Sequence, residues 1–221
     1  MSLLSTTGVT AAGASTPVQI LVLLTLITLL PGVLFAVTGF TRILIVLGFV
    51  RNALGTPTSP PNQILVGIAF FLTLFVMAPT LRAIDNTAVK PYMAHEVSER
   101  QALIRGEQPL RTFMFKQTRT SDLALFIDLS HGKRPRTRAD VPTHVLVPAF
   151  IISELKTAFQ IGFLVYLPFL LIDMIVASTL TSMGMMMLPP ALISLPFKIL
   201  LFVLVDGWHL VVQSLVGSFN T

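Results

Sequence analysis

Charge is segregated along this chain far more sharply than in a soluble domain. Twelve of its 15 Lys and Arg and eight of its 10 Asp and Glu fall between Arg82 and Lys156. The flanks are nearly charge-free and apolar, so lipid or other protein must shield them from water. Apolar residues make up 53% of the chain and charged residues only 11%, against about 25% charged in an average soluble domain. That is a membrane-protein composition. The middle segment carries a net charge of +4, 12 basic against eight acidic residues, and reads as a mildly basic soluble insertion.

Several classes are excluded early. The chain has no cysteine, hence no disulfide framework and no thiolate metal site. No Lys/Arg cluster interleaves with stacking aromatics, so the basic balance does not point to nucleic acid. Residues 1–17 are small and polar and read as a flexible N-terminal segment. They lack the basic and apolar regions of a cleavable signal peptide.

Every long apolar run is broken by Pro or Gly. Residues 18–40 carry no charge and would reach about 35 Å as one helix, enough to span a bilayer. Pro31-Gly32 is expected to divide this run into a short piece, 18–30, and a second piece, 33–54, with Arg42 inside it. The turn GTPTSPPNQ at 55–63 leads into an apolar helix expected over 64–81, completing a first helical hairpin over 18–81. The insertion spans 82–147. It contains helix-like stretches at 109–118, with Leu110, Phe113, Met114 and Gln117 on one side, and at 122–129. The basic tract 131–142 reads as a solvated loop. A third helix is expected from Pro148 to about Leu180 and a fourth from about Ala191 to Phe219, forming a second hairpin over 148–221.

The tip of that second hairpin stands out. Met185, Met186 and Met187 follow Gly184 and precede Pro189 and Pro190. On a helix three adjacent residues point three ways, so they cannot pack one face. Gly184 and the prolines put them on a turn, with Gly184 as hinge and Pro189-Pro190 anchoring the far side. A turn of soft, unbranched, apolar side chains in a membrane protein suits something that closes and then yields.

Charges also interrupt the apolar runs at Arg42, Asp173, Lys198 and Asp206. Each would cost about 2.5–3.5 kcal/mol facing hydrocarbon, so these helices are expected to face protein or water. Asp173 lies 13 residues before the centre of the methionine run and Lys198 lies 12 after it, at similar depth in an antiparallel pair. Lys198 is therefore expected to pair with Asp173 of its own hairpin or with Glu154 of a neighbouring copy. Glu154 and Lys156 flank Leu155 and point to different sides of a helix, which argues against a catalytic pair.

Catalytic signatures are absent. The sequence lacks GxxxxGKS/T, GxGxxG, HExxH and GxSxG, and its four His are scattered. Neither an enzyme nor a cofactor or metal site is expected. A channel subunit, a small-solute transporter and an interaction scaffold remain as classes. Broken helices with internal charges suit the transporter too, although the two hairpins do not repeat one another.

Residues 40–79, FTRILIVLGFVRNALGTPTSPPNQILVGIAFFLTLFVMAP, resemble the flagellar protein-export gate family FliP. So do QPLRTFMFKQTRTSDLALF at 108–126, SELKTAFQIGFLVYLPFLLIDMIVAS at 153–178, and GMMMLPPALISLPFKILLFVLVDGWHLVVQSL at 184–215. The last block is also similar to the injectisome (virulence) relatives, the SctR family; QPLRTFM and VDGWHLVV favour the flagellar branch. The resemblance implies an all-α, membrane-associated fold of two broken helical hairpins flanking a small helical insertion. It implies five copies assembling with FliQ and FliR into a helical ring, together with FlhB and further export-apparatus proteins. That ring sits in the bacterial inner membrane at the flagellar basal body, largely on the periplasmic side, and conducts unfolded flagellar proteins. The insertion would then face the periplasm, against the positive-inside rule, which is unreliable at this loop length. Met185, Met186 and Met187 match the family's sealing gasket. Arg42, Glu154, Lys156, Asp173, Lys198 and Asp206 would be buried or inter-subunit charges.

Overall fold

The structure is a computed structural model that describes residues 16–130, 135–185 and 187–219. All regular elements among these residues are helical. In chain order they are α1 (Thr16–Ala36), α2 (Phe40–Ala53), α3 (Asn62–Ile84), α4 (Lys90–Met93), α5 (Glu99–Gln117), α6 (Thr120–Leu129), α7 (Thr143–Ser182), α8 (Pro190–Leu204) and α9 (Gly207–Gly217). A π-helical turn, Asp85–Val89, joins α3 to α4 without interrupting the rod, and a short 3-10 turn, Arg138–Asp140, precedes α7.

The centre of the fold is α2. Ile43, Val46, Leu47 and Val50 recur at helical spacing, form one stripe and are fully buried. Burying each such side chain stabilises the fold by about 2 kcal/mol. The stripe packs most extensively against α7 and then against α3, where Leu65, Ala69, Ala158 and Phe169 complete the cluster. A second cluster, Met114, Val141, Val145, Leu146 and Phe150, seats α5 on the first turns of α7. The charged middle of the chain is thus docked on the apolar part through α5 and α6.

Several expected boundaries move. The first apolar run does not break at Pro31-Gly32: α1 continues through Pro31 to Ala36, and the break falls at residues 37–39. Pro31 forfeits one backbone hydrogen bond, which an apolar helix without polar competitors for its backbone tolerates. The close approach of the chain's C-terminal end decides the break. A Cβ on Gly39 would lie 2.5 Å from the Phe219 ring, so only glycine lets that ring cover the start of α2. The helix expected to stop near Leu81 runs on as α3, the π-helical turn and α4. The stretch expected over 109–118 starts ten residues earlier, at Glu99. A capping box between Ser98 and Gln101 sets that start.

The third helix begins at Thr143 rather than Pro148, which sits in its second turn, and ends at Ser182. The fourth is two helices, α8 and α9, bent by 66°. Asp206 makes the corner with φ 50° and ψ 55°, in the left-handed region that Asp enters more readily than most residues.

Among the described residues three helices are long and apolar enough to cross a membrane, Gln19–Ala36, Asn62–Met93 and Thr143–Ser182, and the bent α8–α9 pair would be a fourth. Much of their surface is apolar and uncovered by the single chain. Phe71 and Phe75 on α3, and Phe163, Leu164, Leu171 and Ile175 on α7, are exposed.

Candidate functional site: a methionine turn and three ion pairs on one helix

Helix α7 ends in a Schellman motif. Met185 N donates to Leu180 O at 2.9 Å and Gly184 N donates to Thr181 O at 3.0 Å. Gly184 sits at φ +76° with nothing within 4 Å of where a Cβ would be. Its identity is therefore required by the backbone conformation, not by crowding. On the far side Pro189 caps α8 and Pro190 is its first residue, where a missing N–H costs nothing. Glycine and the two prolines confine Met185 and Met187 to a turn. Met187 is 97% exposed and Met185 40% exposed. Met186 lies outside the described residues.

Three of the charges expected to be buried or inter-subunit belong to α7, and each finds a partner inside the chain. Arg42 is the largest fully buried side chain. Its Nε donates to Glu154 Oε2 at 2.9 Å and its Nη2 donates to Glu154 Oε1, a two-point contact. Nη2 also donates to Gln117 Oε1 at 3.0 Å, and Nη1 donates to Ser218 O at 3.0 Å and Ser218 Oγ at 2.9 Å. The guanidinium lies 3.9 Å from the centroid of the Phe219 ring. One residue on α2 therefore ties α5, α7 and the C-terminal end together, and its donors are met by fixed acceptors.

Lys198 on α8 donates to Asp173 Oδ2 at 2.6 Å, and Ser194 Oγ donates to Asp173 Oδ1 at 2.5 Å. Of the two partners considered for Lys198, the chain brings Asp173 to it. Glu154 is taken by Arg42. The Lys198–Asp173 pair sits on both arms leading to the methionine turn.

Lys156 is half exposed and donates to the buried Asp122 of α6, which also accepts from Ser153 Oγ at 2.8 Å. Burial pushes the Asp122 carboxyl up, but the Lys156 and Ser153 hydrogen bonds outweigh it and hold the group below the usual carboxylate range. A carboxylate with a depressed pKa stabilises the fold above its unfolded-state value, about 3.9. That stabilisation is lost as pH falls through the lower folded-state value. Acidification below about pH 4 is expected to loosen α6 from α7 by roughly 1 kcal/mol, screened because Lys156 is half in solvent. Amide exchange of α6 against pH measures this. Asp122→Asn should abolish the acid step, and an identical step in the variant would remove Asp122 as its origin.

Asp206, expected as a buried or inter-subunit charge, is not buried within the single chain. It is exposed at the α8–α9 corner and pairs with no cation among the described residues, and Val203, Leu204, Val205 and Trp208 around it are exposed and apolar. Left facing hydrocarbon, it would cost about 2.5–3.5 kcal/mol.

Sequence reasoning missed Gln117, Asp122, Ser153, Ser194, Ser218 and Phe219 as members of these networks. Polar residues in the insertion and at the C-terminal end carry no local signal of a long-range partner. No cluster of His, Cys, Asp or Glu that could hold a metal exists among the described residues.

The FliP family model matches residues 23–215. The flagellar biosynthetic protein FliP of Bacillus subtilis (strain 168) is 56% identical over 205 residues, 93% of this chain and 93% of that protein. The protein of the same name from Pectobacterium carotovorum subsp. carotovorum is 56% identical over 202 residues, 91% of this chain and 78% of that protein. That from Aquifex aeolicus (strain VF5) is 46% identical over 205 residues, 92% of this chain and 86% of that protein. With its apolar helices, its internally paired charges and these relatives, the chain belongs to the FliP family, a structural rather than enzymatic, membrane-embedded component of the flagellar export apparatus.

Proposed function

We propose that this chain is one arc of the pore of the flagellar type III export gate. Copies of it close around an axis with FliQ, FliR, FlhB and other export proteins at the periplasmic side of the inner membrane, and unfolded flagellar proteins pass through the centre. In this reading the second hairpin comprises α7, α8 and α9, and Met185, Met186 and Met187 at its tip form an apolar constriction. The observation that carries the reading is the turn itself, where a methionine 97% exposed stands between a glycine-hinged helix end and a proline-started one.

An apolar ring narrow enough to dewet stops ions and small solutes. Methionine's flexible, polarizable side chain then re-packs around a translocating chain of any sequence. Asp173 and Lys198 neutralise each other and keep the approach to the ring free of net charge. Asp206 and the exposed side of Lys156 are left for contacts between subunits.

Replacing Met185, Met186 and Met187 together with Ala should raise the ion permeability of vesicles containing the assembled complex several-fold, with the complex still intact on sizing. Unchanged permeability would mean the turn does not seal. Saturable uptake of one small solute by the parent complex would favour a transporter instead.

A further inference from the structure

Two surfaces of the chain are chemically incomplete, and each supplies what the other lacks. The first is a groove of about 950 Å³ between the α3–α4 rod and α5. Phe75, Val76 and Pro79 form one wall, and Phe113, Val216 and Phe219 close one end. Arg105 and Lys116 stand on the α5 wall, about 16 Å apart on one helix face at 1.5 Å per residue. No carboxylate lines this groove, and neither cation has a partner among the described residues. The second surface is the α8–α9 corner, a lone carboxylate, Asp206, ringed by exposed Val203, Leu204, Val205 and Trp208.

We propose that the α8–α9 corner of one copy of this chain docks in the α3–α5 groove of the next copy, with Asp206 pairing to Lys116. The apolar surroundings select Lys116 over Arg105. The Lys116 end of the groove is walled mainly by Phe75, Phe113, Val216 and Phe219, with Thr112 and Gln117 beside the lysine, whereas Asn86, Thr87 and Gln108 stand with Arg105. The aliphatic rim around Asp206 matches the first end and not the second, and excluding water strengthens the ion pair.

The contact lies between chains because α9 separates its two halves. Asp206 begins that helix and Val216 is near its end, about 15 Å away. The two surfaces are different and do not overlap, so the contact is heterologous and propagates head to tail into a ring or a helix. This rests on the reading that copies assemble around an axis, and it names the joint between them.

The chain has no cysteine, which makes a crosslinking test clean. Lys116→Cys and Asp206→Cys are introduced together into the assembled complex, which is treated with a short bis-maleimide. A ladder of covalent multimers of this chain is expected from the double variant and not from either single one. In parallel, Lys116→Asp should impair assembly, and adding Asp206→Lys should restore it. Absence of the ladder in an intact complex, a product joining Asp206→Cys to a different protein, or a double charge reversal no better than the single one would each overturn the proposal. The gate reading is tested separately by the ion permeability of the methionine variants, so the joint can fail while the gate stands.

Discussion

Arg42→Ala is expected to destabilise the fold by about 3–5 kcal/mol, against a total stability of about 5–15 kcal/mol for a typical domain. The substitution removes one side chain but orphans acceptors on three segments. Glu154 is left charged and buried on α7, and Gln117 and Ser218 lose their shared donor. The Glu154 term dominates, because an unpaired buried charge costs far more than a lost neutral hydrogen bond. Arg42→Lys should rescue poorly. An ammonium cannot make the two-point contact with Glu154 and also reach Ser218 and Gln117.

Replacing both partners, Arg42→Met with Glu154→Met, should cost less than either single truncation, since no charge is then stranded. Thermal unfolding of the detergent-solubilised protein measures Arg42→Ala, Arg42→Lys, the double variant and each of its two single components. If Arg42→Ala melted like the parent, or if the double variant were additive, the pair would not be what holds α2 to α7.

Lys198→Gln should cost about 2–3 kcal/mol. That is less than for Arg42, because Asp173 keeps Ser194 and is partly exposed. The larger consequence is local. Asp173 stands about 14 Å before the end of α7, and Lys198 about 12 Å after the start of α8, at 1.5 Å per residue. The pair therefore pins the two arms at one level just behind the methionine turn. Without it the arms are free to splay, and the turn loses its fixed position. Amide exchange across residues 176–195 should accelerate in Lys198→Gln, and complex-bearing vesicles should leak ions. The exchanged pair, Asp173→Lys with Lys198→Asp, should recover part of both. Parent-like exchange and tightness in Lys198→Gln would show that the pair positions nothing.

The helices were legible because apolar periodicity and length are local properties. The stripe Ile43, Val46, Leu47 and Val50 belongs to α2 wherever α2 packs. The methionine turn was legible too, since Gly184 and Pro189-Pro190 act on their own backbone. Proline is a poor guide to boundaries here: Pro31, expected to break a helix, and Pro148, expected to start one, both lie inside helices, while the third helix runs through Pro168 as expected. A long apolar helix held by packing absorbs one missing hydrogen bond.

The start of α5 has a local signal in Ser98 with Gln101, a stronger one than Pro109, which lies inside the helix. The bend at Asp206 had a weaker one in the adjacent Gly207. Its Cβ position lies 2.2 Å from the Phe202 ring, a packing fact that no window of sequence contains.

By itself, then, the sequence determined an all-helical, apolar-flanked chain of the FliP family with a methionine turn between two arms, because hydropathy, turn chemistry and family motifs are written residue by residue. Only the tertiary structure decided which charges meet. It gave Glu154 to Arg42, Asp122 to Lys156 and Asp173 to Lys198, and left Asp206 exposed with no partner among the described residues. Ion pairing depends on which helix faces come within hydrogen-bonding reach, and that distance is set by the packing of α2, α6 and α8 around α7.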